Sequence, residues 1–196
     1  MRFILVRHGQ TQANQEQRYL GSTCSPYTSL GLRQNAHVLE LLAREKIDRI
    51  YASPRPRALG LAESVAKHLG KGIEIQPALA EMGFGVFEGS TYLEAAGAYP
   101  KEWQCWTEDY IHYQIPQGES FLRFHQRVTG FLDTLESEGT YLIISHGGVI
   151  CSAITHLLGL GVDARWHFQI PPGCLVELVK EREANYMRRL VPYEEE

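Results

Sequence analysis

The sequence lacks closely spaced cysteines and long hydrophobic runs. Its four cysteines lie far apart and form no C-x-x-C pair, which argues against a zinc or dithiol redox site and favours reduced thiols. No apolar stretch is long enough for a transmembrane helix or for the hydrophobic part of a signal peptide. We therefore expect a cytoplasmic protein without a membrane partner.

Neither sign of charge dominates the sequence. The formal net charge is −4, and Lys and Arg form no continuous run, so we expect no nucleic-acid partner. No internal repeat or low-complexity segment is visible. A chain of 196 residues suits one domain, and a domain of that size buries about 70% of its unfolded surface. We expect a single domain over residues 1–196 that needs no disulfide bond, metal or cofactor.

Two apolar runs of similar length each end in a histidine followed by glycine. Residues 3–6 lead into Arg7 and His8, and residues 141–144 lead into Ser145 and His146. A short apolar run that ends in charge is typical of a buried strand. Ligands of open α/β sheets bind at the carboxyl ends of the strands. The pattern therefore predicts that the two imidazoles lie in one crevice.

Further runs and helical periodicities predict alternating strands and helices. We expect strands over residues 3–6, 47–52, 72–76, 141–144, 168–170, 174–179 and 186–190, and helices over about 29–46, 56–68, 118–135 and 148–158. The apolar residues at helical spacing in the first helix are Leu32, Ala36, Leu39 and Ala43. This order predicts an α/β fold, a three-layer α/β/α sandwich with a mixed, mostly parallel sheet that ends in an antiparallel pair.

The stretch of about residues 82–117 differs from the rest because glycines and aromatics are concentrated there. Two short polar helices are expected within it. We interpret this stretch as a small cap or lid inserted over the sheet edge. Trp103 and Trp106 either form the core of this cap or offer a stacking surface for a nucleoside-like substrate.

Charged and titratable residues follow several predicted strands. The residues that we expect to converge are Arg7, His8, Arg57, Glu81 and His146. Two arginines near one point repel unless an anion lies between them, and arginine binds phosphate bidentately. Gly147 and Gly148 at a helix start would add backbone N–H groups. The sequence therefore predicts a site for a phosphate dianion.

Such a site can transfer a phosphoryl group without a metal. Neutral imidazole is nucleophilic near pH 7, while two arginines and a second, protonated histidine can stabilise the phosphoryl oxygens. Glu81, beside apolar Met82 and Phe84, could have a raised pKa and protonate the leaving oxygen. A histidine-based metal site is the alternative, but Arg7 and Arg57 would disfavour a cation there. A phosphate-binding module without turnover is a further alternative.

Four segments resemble the motifs of the histidine phosphatase superfamily, the phosphoglycerate mutase-like enzymes. They are residues 5–14 (LVRHGQTQAN), 53–58 (SPRPRA), 79–89 (LAEMGFGVFEG) and 145–148 (SHGG). The resemblance covers nearly the whole chain and implies a mixed α/β sandwich that uses no metal. It implies that His8 becomes phosphorylated and that Glu81 protonates the leaving group and later activates water. The residues that it implies for phosphate binding are Arg7, Arg57, His146 and Asn14, with Gln10 or Thr11 assisting.

Within that family, the sequence favours hydrolysis over mutase chemistry. The mutases have arginine and tyrosine where this chain has Met82 and Phe84, and tryptophan where it has Ala13. Extra cations for a substrate carboxylate are not evident. Residues 84–92 and 116–120 are similar to those of the α-ribazole phosphatases of cobalamin assembly, and also to broad-specificity phosphatases and fructose-2,6-bisphosphatase domains. The expected partner is a small phosphorylated metabolite; a homodimer stays open, as does phosphoglycerate mutase activity.

Overall fold

The computed structural model describes residues 1–135 and 138–195. Its strands are β1 (Arg2–Arg7), β2 (Arg49–Ala52), β3 (Glu74–Ile75), β4 (Thr140–Ser145), β5 (Leu175–Lys180) and β6 (Asn185–Val191). Its α-helices are α1 (Gln12–Gln15), α2 (Ser29–Leu42), α3 (Pro56–Leu69), α4 (Tyr92–Ala98), α5 (Pro100–Glu108), α6 (Phe121–Asp133) and α7 (Gly147–Leu157). Among these described helices, none is both long and apolar enough to cross a membrane.

The six strands form one sheet in the order β3-β2-β4-β1-β5-β6. The first four strands in that order are parallel, whereas β5 is antiparallel to β1 and β6 is antiparallel to β5. The mixed, mostly parallel sheet and its final antiparallel pair are therefore confirmed. The central positions of β1 and β4 matter for function because both strands lead directly into the glycine-flanked histidines.

Side chains of β1 alternate between two cores, as the period of a strand requires. Phe3 and Leu5 belong to the cluster that packs under α6 and α7, whereas Ile4 and Val6 belong to the cluster under α2 and α3. Each face of the sheet is thus covered by helices. This confirms the three-layer α/β/α sandwich.

The predicted strand over residues 168–170 is wrong. A 3₁₀ turn over Val162–His167 precedes this segment, which then runs as irregular backbone. The guanidinium of Arg7 donates to the carbonyl oxygen of Ile170. Pro171 and Pro172 follow and have no N–H to give to a strand ladder. The apolar run therefore packs without joining the sheet.

The buried face of α2 also differs from the expected one, and the helix ends at Leu42 rather than near residue 46. Leu32 is 59% exposed, and the buried residues are Gly31, Gln34, Val38 and Leu42. Gly31 packs so tightly that an added Cβ would lie 2.0 Å from the carbonyl oxygen of Gln10. Gln34 accepts a hydrogen bond of 2.8 Å from the Gln10 backbone N–H. Contacts with the loop after β1 thus fix the face that α2 buries.

The segment between β3 and α6 contains α4, α5 and two 3₁₀ turns at Pro77–Leu79 and Gly85–Phe87. Trp103 and Trp106 are only 9% and 5% exposed and pack against Phe87 in the core under α6 and α7. These two tryptophans therefore serve packing, and the alternative of a stacking surface made by them is wrong.

Candidate active site

The parallel pairing of β1 and β4 brings the two strand-end histidines together. Arg7 is paired with Ser145 in the ladder, so His8 and His146 leave the sheet side by side. Their ring centroids are 5.2 Å apart, with an angle of 71° between the ring planes. The rings are 2% and 1% exposed. The expected juxtaposition of two imidazoles at one sheet edge is thus present in the fold.

The His8 ring is held as the neutral tautomer with its lone pair on Nε2. Its Nδ1 lies 2.7 Å from the Gly9 carbonyl oxygen, which only accepts, so the proton is on Nδ1. Arg57 Nε donates to His8 Nε2 over 3.2 Å. Burial, followed by the charges of Arg7 and Arg57, holds the pKa of His8 well below its usual range. A neutral imidazole with a fixed acceptor nitrogen is a competent nucleophile.

The guanidinium of Arg57 is buried and held by the loop of residues 20–23. It donates to the carbonyl oxygens of Leu20, Gly21 and Thr23 at 2.8, 3.0 and 3.3 Å. Burial lowers the pKa of Arg57, and the carboxylate of Glu81 partly offsets this effect. The cation therefore has a fixed position beside His8.

Glu88 holds that loop in turn. One carboxylate oxygen of Glu88 accepts the backbone N–H groups of Gly21, Ser22 and Thr23 at 2.8, 2.8 and 2.9 Å. A carboxylate with three such bonds organises backbone and does not need to move a proton. These contacts give Glu88 a structural role that acts through the loop on Arg57.

Arg7 contributes the second cation. One of its terminal nitrogens donates to Ile170, whereas its Nε is buried and has no hydrogen-bond partner among the described residues. Burial lowers the pKa of Arg7, and the charge of Glu81 partly offsets the shift. An added Cβ on Gly147 would lie 3.2 Å from a terminal nitrogen of Arg7, so glycine permits this close approach.

His146 is the residue before α7 and is also neutral in this structure. Its Nε2 lies 2.7 Å from Ser53 Oγ, and its buried Nδ1 has no partner within the described parts of the chain. Burial and then the charge of Arg57 hold the pKa of His146 well below its usual range. The expected protonated state therefore does not hold before an anion binds, because the neighbouring cations oppose it. Ser53, at the end of β2, is a site residue whose role the sequence did not indicate.

Glu81 faces the same cations from the segment after β3. Its two carboxylate oxygens accept the backbone N–H groups of Met82 at 2.9 Å and of Gly148 at 3.1 Å. An added Cβ on Gly148 would lie 2.4 Å from a carboxylate oxygen of Glu81, so a side chain at this position would displace that carboxylate. The first turn of α7 therefore positions the carboxylate near Arg7 and Arg57.

Some polar residues after His8 serve the structure, whereas others keep polar groups that a ligand can use. Thr11 is fully buried and caps α1, with its hydroxyl and its backbone N–H both donating to Asn14 Oδ1. This removes Thr11 from the groups available to a phosphate, contrary to the expectation that it could assist. Asn14 retains its amide N–H groups, because only its oxygen serves the cap. Gln10 is partly exposed, and its side-chain oxygen accepts from Thr28 over 2.9 Å.

Two cavities border Glu81. The larger, of about 530 Å³, is lined by charged side chains that include Arg55, Glu119 and Arg127. The smaller, of about 80 Å³, lies between Gly148 and Arg165. Arg165 was missed because it belongs to no motif and reaches the site only through the 3₁₀ turn before β5. The expectation that no further cation lies near the site is therefore wrong.

Within residues 1–135 and 138–195, no three His, Cys, Asp or Glu side chains are grouped so that they could hold a metal ion. The four cysteines are free thiols. Burial raises the pKa of Cys151 to about 12, so this thiol stays protonated near the site.

Comparison with known proteins gives one consistent family. A model described as the histidine phosphatase superfamily (branch 1) matches residues 3–191. The adenosylcobalamin/α-ribazole phosphatase of Escherichia coli is 33% identical over 177 residues, which are 89% of this chain and 87% of that protein. Phosphoserine phosphatase 1 of Hydrogenobacter thermophilus is 28% identical, over 86% of this chain and 81% of its own.

Solved structures agree with this assignment. The α-ribazole phosphatase from Shigella flexneri superposes with a TM-score of 0.90 at 31% identity and covers 100% of both chains. The likeness in sequence and fold thus extends from β1 to the end of the sheet, and includes the segments that carry both histidines. The chain belongs to the histidine phosphatase superfamily and is a phosphatase.

Proposed function

We propose that this phosphatase hydrolyses a small phosphomonoester, α-ribazole 5′-phosphate, through a phosphohistidine on His8. The observation that carries the mechanism is the neutral His8 ring, whose Nε2 lone pair accepts from Arg57 Nε and whose ring lies 5.2 Å from that of His146. A nucleophile of this kind needs no metal, because the cations beside it stabilise the phosphoryl oxygens.

In the first step, His8 Nε2 attacks phosphorus and the bond from phosphorus to the ester oxygen breaks. The protonated Glu81 carboxyl gives its proton to the departing oxygen, which leaves as an alcohol. Arg57 stays beside His8, and its Nε N–H, which loses its acceptor when His8 Nε2 becomes bonded to phosphorus, donates to a phosphoryl oxygen instead. The N–H groups of Asn14 and the Arg7 Nε complete the contacts, while Gln10 and the backbone N–H of Gly147 remain proposed further donors.

In the second step, water attacks the phosphohistidine. The Glu81 carboxylate takes a proton from that water, the bond between phosphorus and Nε2 breaks, and His8 returns to its neutral form. Inorganic phosphate leaves, and Glu81 is again protonated for the next cycle. His146 gains a proton when the dianion binds beside it, because the anion reverses the repulsion by Arg57 and Arg7.

Two observations support the substrate. Relatives with the name α-ribazole phosphatase match this chain at 31–33% identity over most of its length. Trp166, which is 66% exposed, lies against Arg165, whose side chain lines the small cavity, so its exposed surface is placed to contact a nucleoside base. We interpret residues 82–117 as a cap within the single domain. A homodimer and a cytoplasmic location remain predictions.

The test is phosphate release from a panel of monoesters in the presence of a chelator. The panel contains α-ribazole 5′-phosphate, phosphoserine, 3-phosphoglycerate, fructose 2,6-bisphosphate and p-nitrophenyl phosphate. The proposal expects the largest kcat/KM for α-ribazole 5′-phosphate. A flat profile would refute that substrate, and loss of activity with chelator would refute the metal-free mechanism. His68→Ala, which changes an exposed histidine, is the matched control for His8→Ala.

A further inference from the structure

We propose that Arg165 binds oxygen acceptors of the leaving group and thereby selects which phosphomonoesters the enzyme hydrolyses. This inference rests on the proposed function, since it assigns Arg165 to the same reaction. The observation that carries it is a buried guanidinium with free N–H groups at the wall of a cavity that Glu81 also lines.

The guanidinium of Arg165 is enclosed by aromatic rings. Its central carbon lies 4.3 Å from the ring centroid of Phe121, 5.1 Å from that of Tyr110 and 4.7 Å from that of Trp166. Such contacts hold the cation over the ring faces, but a ring face does not replace a hydrogen-bond acceptor in the guanidinium plane. The rings thus hold the guanidinium of Arg165 in one orientation and do not supply acceptors for its N–H groups.

Two nitrogens of Arg165, Nε and one terminal nitrogen, are buried and have no hydrogen-bond partner in the described part of the chain. A buried donor without an acceptor is costly, and native structures contain few of them. Burial lowers the pKa of Arg165, but arginine stays charged at neutral pH. The group therefore offers two charge-assisted donors to an incoming oxygen.

The size of the cavity limits which part of a substrate reaches Arg165. A volume of about 80 Å³ holds only a few heavy atoms, since one water occupies about 30 Å³ in the liquid. Glu81 and Gly148 line the same cavity, so the proposed proton donor stands next to it. Oxygen atoms close to the scissile ester, such as sugar hydroxyls or an adjacent carboxylate, fit this space, whereas a base would lie outside against Trp166.

The experiment compares esters that have such oxygens with one that lacks them. We measure kcat/KM for ribose 5-phosphate, phosphoserine and phenyl phosphate with the wild type, Arg165→Met and Arg165→Lys. The ratio of ribose 5-phosphate or phosphoserine to phenyl phosphate should fall about 10- to 100-fold in Arg165→Met, as expected for a lost charge-assisted hydrogen bond. Arg165→Lys should recover part of it. Arg44→Met, at an exposed position, should leave every ratio unchanged.

An unchanged ratio in Arg165→Met would overturn the proposal, because it would mean that Arg165 only packs or acts on the transferred phosphate. A selective loss for phosphoserine alone would identify a carboxylate as the bound group, and a selective loss for ribose 5-phosphate would identify hydroxyls. The same esters are titrated by calorimetry into His8→Ala with and without Arg165→Met. This binding readout needs no turnover, so failure of the phosphohistidine mechanism is distinguishable from failure of the Arg165 assignment.

Discussion

Replacing Glu81 by glutamine should slow hydrolysis most for substrates whose leaving group needs a proton. Glutamine keeps the shape and one acceptor oxygen, so either the Met82 or the Gly148 N–H retains its bond. The other N–H then faces an NH₂ group, which costs about 1–3 kcal/mol locally. The carboxyl proton is absent, and general acid catalysis is typically worth about 10²- to 10⁴-fold.

The assay is kcat/KM for a series of alkyl and aryl phosphates. This parameter reports phosphoryl transfer to His8 and excludes the later hydrolysis of the phosphohistidine, in which Glu81 acts as a base. We expect Glu81→Gln to lower kcat/KM about 10²- to 10⁴-fold for ribose 5-phosphate. For p-nitrophenyl phosphate, whose phenolate needs little help, the loss should stay below about tenfold, because no proton transfer is removed. Equal losses for both esters would refute the acid role of Glu81.

Two further predictions concern the supports of the site and of the sheet. Glu88→Ala removes the acceptor of three backbone N–H groups in the loop that holds Arg57. In steady-state assays kcat/KM should therefore fall about 10- to 100-fold, a loss of about 1–3 kcal/mol. Unchanged kinetics would contradict the idea that Glu88 supports Arg57 through this loop. Glu177 is buried in β5 and binds Arg2 and Arg189, so Glu177→Gln should destabilise the protein by about 3–5 kcal/mol at pH 7 in urea unfolding. Burial alone would raise the pKa of Glu177, but its hydrogen bonds to the two arginines lower it overall. The stabilisation by the Glu177 carboxylate is therefore present at neutral pH and lost as the pH falls through its folded-state pKa. The difference in free energy of unfolding between Glu177→Gln and the wild type should then shrink in acid. A difference that stays constant with pH would contradict the ion-pair assignment.

The sequence predicted the parts of the fold that local patterns determine. Apolar runs located β1 and β4, and the glycines after each histidine marked where the chain leaves the sheet. It failed where tertiary contacts override local pattern. The apolar run at residues 168–170 packs as irregular backbone, where the Ile170 carbonyl oxygen accepts from the Arg7 guanidinium. Helix α2 buries Gly31 and Gln34 because these residues contact the backbone of Gln10.

The same division applies to the site. The two histidines, the two arginines and Glu81 follow strand ends, so topology alone brings them together. Arg165 and the support from Ser53 depend on where a 3₁₀ turn and a strand end come to lie in three dimensions. No spacing in the sequence encodes those positions. Thr11 was expected at the phosphate because of its place in a motif, but the capping of α1 uses its hydroxyl.

The most direct test of the central claim is detection of phosphate on His8 during turnover. The enzyme is mixed with substrate in the presence of chelator and quenched in alkali, which preserves phosphohistidine, and its peptides are analysed by mass spectrometry. We expect one phosphoryl group on the peptide that contains His8, formed before the first phosphate is released, and no phosphoenzyme or turnover in His8→Ala. Turnover without any phosphoenzyme, or continued turnover in His8→Ala, would contradict the central claim.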